Sequence, residues 1–229
     1  MPAREPSPML ALSPRQPQVL LTGFAPFAGA SINPSWQAVL ALHGRQVAGH
    51  RIVAAQLPTV FGEALQVLEG LLQRHQPALV IAVGQAGGRA ALSLERVAIN
   101  VDDAPIADNA GTRPVDRPVV PGAPAAYFSG LPIKTMLTAL QQAGLPAEVS
   151  QTAGTFVCNH VFFGLMHALA STPALRHTRG GFIHVPWLPE QGAPHMALDD
   201  MVRGLRIAVR CALTVPDGAP PGLAAGATH

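Results

Sequence analysis

A mainly parallel α/β sheet with helices on both faces is the fold class this sequence predicts. Three observations lead to it. Short β-branched runs alternate with helix-period segments along most of the chain, the pattern of strand–helix–strand units. The run ALVIAVG (78–84) is apolar throughout and ends in glycine, as a strand buried on both faces reads. Finally, 229 residues that are 48% hydrophobic and 12% charged suit one compact α/β domain rather than a disordered chain.

The elements follow in order. QVLLTGF (18–24) reads as the first strand. NPSWQAVLALHG (33–44) reads as a helix, with Asn33 as N-cap, Pro34 at the first helical position and Gly44 as the stop. RIVAAQL (51–57) is a second strand, 60–75 a helix and 78–84 the buried strand. ERVAINV (95–101) alternates and reads as one strand. The segment 102–130 has many prolines and little periodicity, and a loop of that length in a compact domain is more often functional than idle. LPIKTMLTALQQAG (131–144) is a helix ending at Gly144, AEVSQ (147–151) a strand, 157–170 a helix, GGFIHVP (180–186) a strand and 196–213 the last helix. Residues 1–17 and 215–229, rich in Pro, Gly and Ala, read as loose tails around a single domain spanning 18–214.

Composition excludes several functions. The formal net charge is +2 with no basic run, which argues against a nucleic-acid surface. No apolar stretch reaches the roughly 18 residues of a membrane span. The MLAL run near the start is too short for a signal peptide and is bracketed by prolines. Two cysteines, Cys158 and Cys211, stand far apart without a disulfide framework, which suits a reducing cytoplasm.

Cys158 lies at the expected start of the helix 157–170. Free N–H groups and the dipole at a helix N-terminus favour negative charge, so a thiol there is expected to ionise more readily and to act as a nucleophile. The same N–H groups could hold an oxyanion. The alternative is a small packing residue. A metal site is not expected: Cys158 and His160 point to different helix faces, and His160 and His167 have no carboxylate to complete a set. Cys211, in an apolar helical pattern, reads as core. His184, at the end of a strand, is the candidate base, or else a hydrogen-bonded structural histidine. In open parallel sheets, site residues collect at the carboxyl ends of strands, where Cys158 and His184 would both lie. Glu95 is the candidate orienting carboxylate, or else an ion-pair partner of Arg96 or Arg89. GQAGGR (84–89) lacks dinucleotide-binding spacing and more plausibly lets backbone approach a ligand closely. Phe24 and Phe27, in an uncharged loop, form either an apolar pocket for a flat neutral group or a seal on the sheet edge.

LLTGFAPFAGASINPSW, PTVF, VGQAGGR, ERVAIN, AAYFSGLPIK, AGTFVCNH and GGFIHVPWLPEQ stand in this order from about 18 to about 192. In that, the chain resembles the pyroglutamyl peptidase I family, the cysteine-type pyrrolidone-carboxylate peptidases. The resemblance implies a three-layer α/β/α fold with a twisted, mainly parallel sheet. It also implies a cytoplasmic exopeptidase, often tetrameric, that removes an N-terminal pyroglutamyl residue from small peptides without a metal or organic cofactor. Its catalytic triad maps to Glu95, Cys158 and His184. Its ring pocket maps to Phe24, Phe27, Asn33, Gln85, Phe156 and Val157, with Ile106 as a further apolar pocket residue. The chain departs from the family at Ala28, Leu94 and Pro105, where glycine, proline and arginine are usual. Pro105 motivates an alternative, a non-catalytic pyroglutamyl-binding homologue. Another α/β hydrolase or a phosphorylase-like enzyme is a second alternative, although no basic cluster for phosphate is present in the loops.

Overall fold

A computed structural model describes residues 16–216 and 224–226. Most of the two expected tails lies outside the described residues. The strands are β1 (Gln18–Phe24), β2 (Gln46–Val47), β3 (His50–Leu57), β4 (Leu79–Gln85), β5 (Leu92–Glu95), β6 (Val97–Ile99), β7 (Ala126–Phe128), β8 (Ala147–Ser150) and β9 (Arg179–Val185). The helices are α1 (Pro34–Leu40), α2 (Glu63–His75), α3 (Ile133–Gln142), α4 (Val157–Ser171) and α5 (Leu198–Thr214).

A seven-stranded sheet runs in the order β2-β3-β1-β4-β9-β5-β8. β3, β1, β4 and β9 are mutually parallel, and β8 is parallel to β5. β2 pairs antiparallel with β3, and β5 antiparallel with β9. The sheet is therefore mainly parallel, as expected, with a reversed pair of strands at one side.

Side-chain parity builds the layers, because successive residues of a strand face opposite sides. In β1 and β4, Val19, Leu21, Leu79, Ile81 and Val83 join a core with Ala38 and Val39 of α1, Leu140 of α3 and Leu205 of α5. Leu20, Val80 and Ala82 point the other way, onto Leu68 of α2 and Phe162 of α4. Helices thus cover both faces of a three-layer α/β/α domain. The run 78–84 is apolar throughout for this reason: both faces of β4 are buried.

Several elements differ from expectation. Residues 95–101 are not one strand. The pairing breaks at Arg96: β5 ends in the main sheet, and β6 pairs with β7 in a separate two-stranded ribbon. Leu92 and Leu94 pack on the α1/α3/α5 side, whereas Ala98, of the same parity, packs on the α4 side. The chain has to rotate between them, and unbroken alternation in the sequence hides that. β7 lies inside the segment 102–130, and the short β2 was also not expected. α1 ends at Leu40, with turns rather than helix up to Gly44.

Candidate active site

Parity also delivers the chemistry. Gly84 of β4 and His184 of β9 are register partners in a parallel pair, so both face α4. Glu95 follows the parity of Ser93, the register partner of His184, and faces the same side. His184 Nδ1 and Glu95 Oε1 are 2.7 Å apart, both groups nearly fully buried. Nδ1 therefore carries the hydrogen and donates it to the carboxylate, which leaves Nε2 as the bare nitrogen.

Cys158 arrives on the second residue of α4, after the N-cap Phe156. β8 runs opposite to β9, so Cys158 reaches the site through the turn 151–156 rather than off a strand ending at the shared edge. A Cβ built on Gly84 would stand 2.8 Å from Cys158 Sγ and 2.8 Å from the Phe182 ring. The sulfur thus lies over the residue paired with His184, one strand spacing (about 4.8 Å) away. Only glycine at 84 leaves room for it. Neither Sγ nor Nε2 is hydrogen-bonded among the described residues.

The expectation of a readily ionised thiol is reversed. Burial, reinforced by the negative charge of Glu95, pushes the Cys158 thiol up to about 12, with the Arg89 guanidinium opposing. Residues at the first turn of α4 have no side-chain cap, unlike α1, where Asn33 Oδ1 accepts from the Ser35 N–H at 3.1 Å. The N–H groups at the start of α4 therefore remain available to an oxyanion beside the sulfur.

A narrow cavity opens against Cys158, lined by Phe24, Phe27, Asn33, Thr59, Gln85, Phe156 and Val157. Six of these are the pocket residues expected from sequence; Thr59 is new, from the PTVF segment, to which no role was given. Phe24 is not in a loop but ends β1, 2% exposed and 6.4 Å from the Phe182 ring. Phe27 and Phe61 both pack on Phe156, at 6.0 and 5.4 Å between centroids. The Asn33 carboxamide is largely committed: besides capping α1 it donates to the Ala25 carbonyl at 3.2 Å, leaving one N–H unspent. Gln85 Oε1 accepts from Gln191 Nε2 at 3.3 Å, so its own NH₂ is unspent. Ile106 departs from expectation: it is 44% exposed and does not line this cavity. Its loop nevertheless supports the walls, since Asp108 accepts from the Phe61 N–H and Asn109 donates to the Pro26 carbonyl.

Beyond the cavity, a groove lined by Ala28, Ser31, Gly87, Trp187 and Glu190 shares Phe27 and Gln85 with it. Cys211 is half-buried against the α1/α3/α5 core. Among the described residues no three His, Cys, Asp or Glu side chains gather as a metal site would need, and no helix is long and apolar enough to cross a membrane.

The sequence model of the pyroglutamyl peptidase family matches residues 17–215. A pyrrolidone-carboxylate peptidase of Cupriavidus taiwanensis is 62% identical over 203 residues, covering 86% of this chain and 94% of the relative. Pyrrolidone-carboxylate peptidase 1 of Ralstonia nicotianae is 60% identical over 202 residues, covering 86% and 93%. The crystal structure of Bacillus amyloliquefaciens pyroglutamyl peptidase I superposes with a TM-score of 0.83 at 49% identity, covering 86% of this chain and 97% of that one. On the length of the match and its identity to these relatives, the chain belongs to the pyroglutamyl peptidase family.

Proposed function

We propose that the chain is a cysteine exopeptidase that removes an N-terminal pyroglutamyl residue from peptides, with Cys158 as nucleophile, His184 as acid and base, and Glu95 orienting the imidazole. The observation that carries the assignment is the position of the sulfur. It sits over the register partner of His184, whose Nδ1 is engaged by Glu95, at the wall of an aromatic cavity.

The lactam ring is flat and neutral, and Phe24, Phe27 and Phe156 meet it with apolar contact. The unspent N–H groups of Asn33 and Gln85 answer its carbonyl. A proline ring lacks that carbonyl and would leave these buried donors unpaired, while an uncyclised glutamate would bring charge into the cavity. The remainder of the peptide leaves along the groove past Trp187.

Because the resting thiol holds its proton at neutral pH, attack needs His184 first. Nε2 takes the thiol proton as Sγ bonds to the pyroglutamyl carbonyl carbon, and N–H groups at the start of α4 hold the oxyanion. The imidazolium, stabilised by Glu95, returns the proton to the departing amine, and the peptide leaves behind a thioester. Water, deprotonated by His184, then attacks the thioester carbonyl, frees pyroglutamate and restores the thiol.

The protein works as a cytoplasmic homo-oligomer, a tetramer by family resemblance. Support comes from free cysteines and from Phe128 and Val115, exposed at 73% and 67%, which would be covered by a second copy. Light scattering on the purified chain tests the assembly, and fractionation of the source cells tests the compartment. Cys158→Ala tests the chemistry: turnover of a pyroglutamyl amide should vanish while the fold persists. Wild-type turnover in that variant would refute the assignment.

A further inference from the structure

Arg89 ends on the carboxylate that orients the histidine. Its Nη1 donates to Glu95 Oε1 at 2.8 Å, the same oxygen that His184 Nδ1 meets at 2.7 Å. Nη1 also lies 3.4 Å from Ser150 Oγ, and Nη2 donates to the Thr152 carbonyl at 3.2 Å. One guanidinium thus ties together the end of β5, the end of β8 and the turn that leads into Cys158. Glu95 Oε2 is buried with no partner among the described residues, so the carboxylate is held through the one oxygen that both donors share. The Arg89 side chain is 29% exposed and Glu95 fully buried, which places the cation on the solvent side of the pair.

We propose that Arg89 is a positioning residue for this reaction: it aims Glu95 at His184, clamps the turn before the nucleophile, and offsets the charge of Glu95 at the sulfur. The inference rests on the roles given above to Cys158, His184 and Glu95. The electrostatic part has an independent sign. At Sγ, Glu95 disfavours the thiolate and Arg89 favours it, so loss of the cation makes the thiol harder to ionise. The geometric part needs the fork. Lysine carries the charge but cannot reach Glu95 and Thr152 from one planar group.

The test measures two quantities across pH in a Cys211→Ser background, where Cys158 is the one remaining thiol. These are kcat/KM on a pyroglutamyl amide and the rate of alkylation by iodoacetamide. Arg89→Met should lower kcat/KM about 100-fold, chiefly through kcat. It should also slow alkylation about tenfold at a given pH, a displacement of the profile to higher pH. Arg89→Lys should restore the alkylation profile but only part of kcat. A displaced profile in Arg89→Met that Arg89→Lys corrects supports the proposal. An unchanged alkylation profile in folded Arg89→Met, or kcat/KM within about twofold of the parent, overturns it. If Arg89→Met does not fold, Arg89→Lys decides: full kcat overturns the clamp, and reduced kcat with a parental alkylation profile supports it. Were the parent itself inactive on the amide, the proposed function would fall, while the alkylation profile would still report on Arg89.

Discussion

Two buried histidine–carboxylate pairs flank Cys158, and they differ in one respect. His184 meets Glu95 at 2.7 Å and His160 meets Asp102 at 2.8 Å, each through Nδ1. In His160, however, Nε2 accepts the Gly62 N–H at 2.9 Å, and the ring stands edge-on to Phe61 at 5.3 Å. Both nitrogens are spent on the fold. His160 fastens α4, residue 102 of the long loop and the segment before α2, which together carry the Phe61–Phe156 wall of the cavity. His184 has the same carboxylate support but no hydrogen bond at Nε2 among the described residues, and its register partner Gly84 lies under Sγ. A carboxylate partner therefore does not separate the two histidines; the unspent second nitrogen of His184 does.

The largest expected effect breaks this comparison directly. His184→Ala should lower kcat by about 10⁴-fold or more with the melting temperature little changed. His160→Ala should do the reverse: it leaves Asp102 buried without its partner and should cost about 3 kcal/mol of stability, seen as a lowered denaturation midpoint. A His160→Ala protein as stable as the parent but catalytically dead would exchange the two roles. The partners come next. Glu95→Gln should reduce kcat by about 10²- to 10⁴-fold, leaving measurable residual turnover, because an amide can present the wrong group to Nδ1. Asp102→Asn should show mainly in thermal stability.

Gly84→Ala sharpens the comparison from the sulfur's side. A methyl group there would meet Sγ and the Phe182 ring, both at 2.8 Å. Overpacking of this kind costs about 1–3 kcal/mol. It should also displace the sulfur from His184 and lower kcat/KM by about tenfold, while contacts of His160 stay intact. Unchanged kcat/KM in this variant would show that Sγ need not sit over β4.

How much of this was readable in the sequence follows the same division. The buried strand 78–84, the N-cap at Asn33 and the layer order are local signals of composition and period, and they were legible. Glu95 stood out as the one carboxylate in the stretch 82–101, which has few other charges. What was hidden depends on phase and on distant partners. The rotation at Arg96 leaves the alternation of 95–101 intact. Phe24 reads both as the last residue of the strand 18–24 and as part of an uncharged loop; it ends β1 at the cavity wall. Ile106 follows a motif, yet its loop supports the site through Asp108 and Asn109 instead. His160 was considered only as a metal ligand, since nothing local announces that residues 62 and 102 meet it. Arg89 was one of two cations that could pair with Glu95, and only the fold chooses between them. For the thiol, helix position is visible in a sequence and burial beside Glu95 is not.

That last difference yields the smallest prediction. A thiol raised from 9.0 to about 12 on folding binds its proton more tightly in the folded chain than in the unfolded one. Between those values the folded state holds more protons, so stability must fall as pH rises through the window and is unaffected below it. At pH 10 the loss should be about 1 kcal/mol relative to neutral pH. Other alkaline titrations contribute in the same range, so the measurement is a difference: urea denaturation of the parent and of Cys158→Ser at pH 8 and pH 10. The parent should lose about 1 kcal/mol more than the variant over that interval. Equal losses would mean that the sulfur is not desolvated at rest, and that it need not wait for His184 to remove its proton.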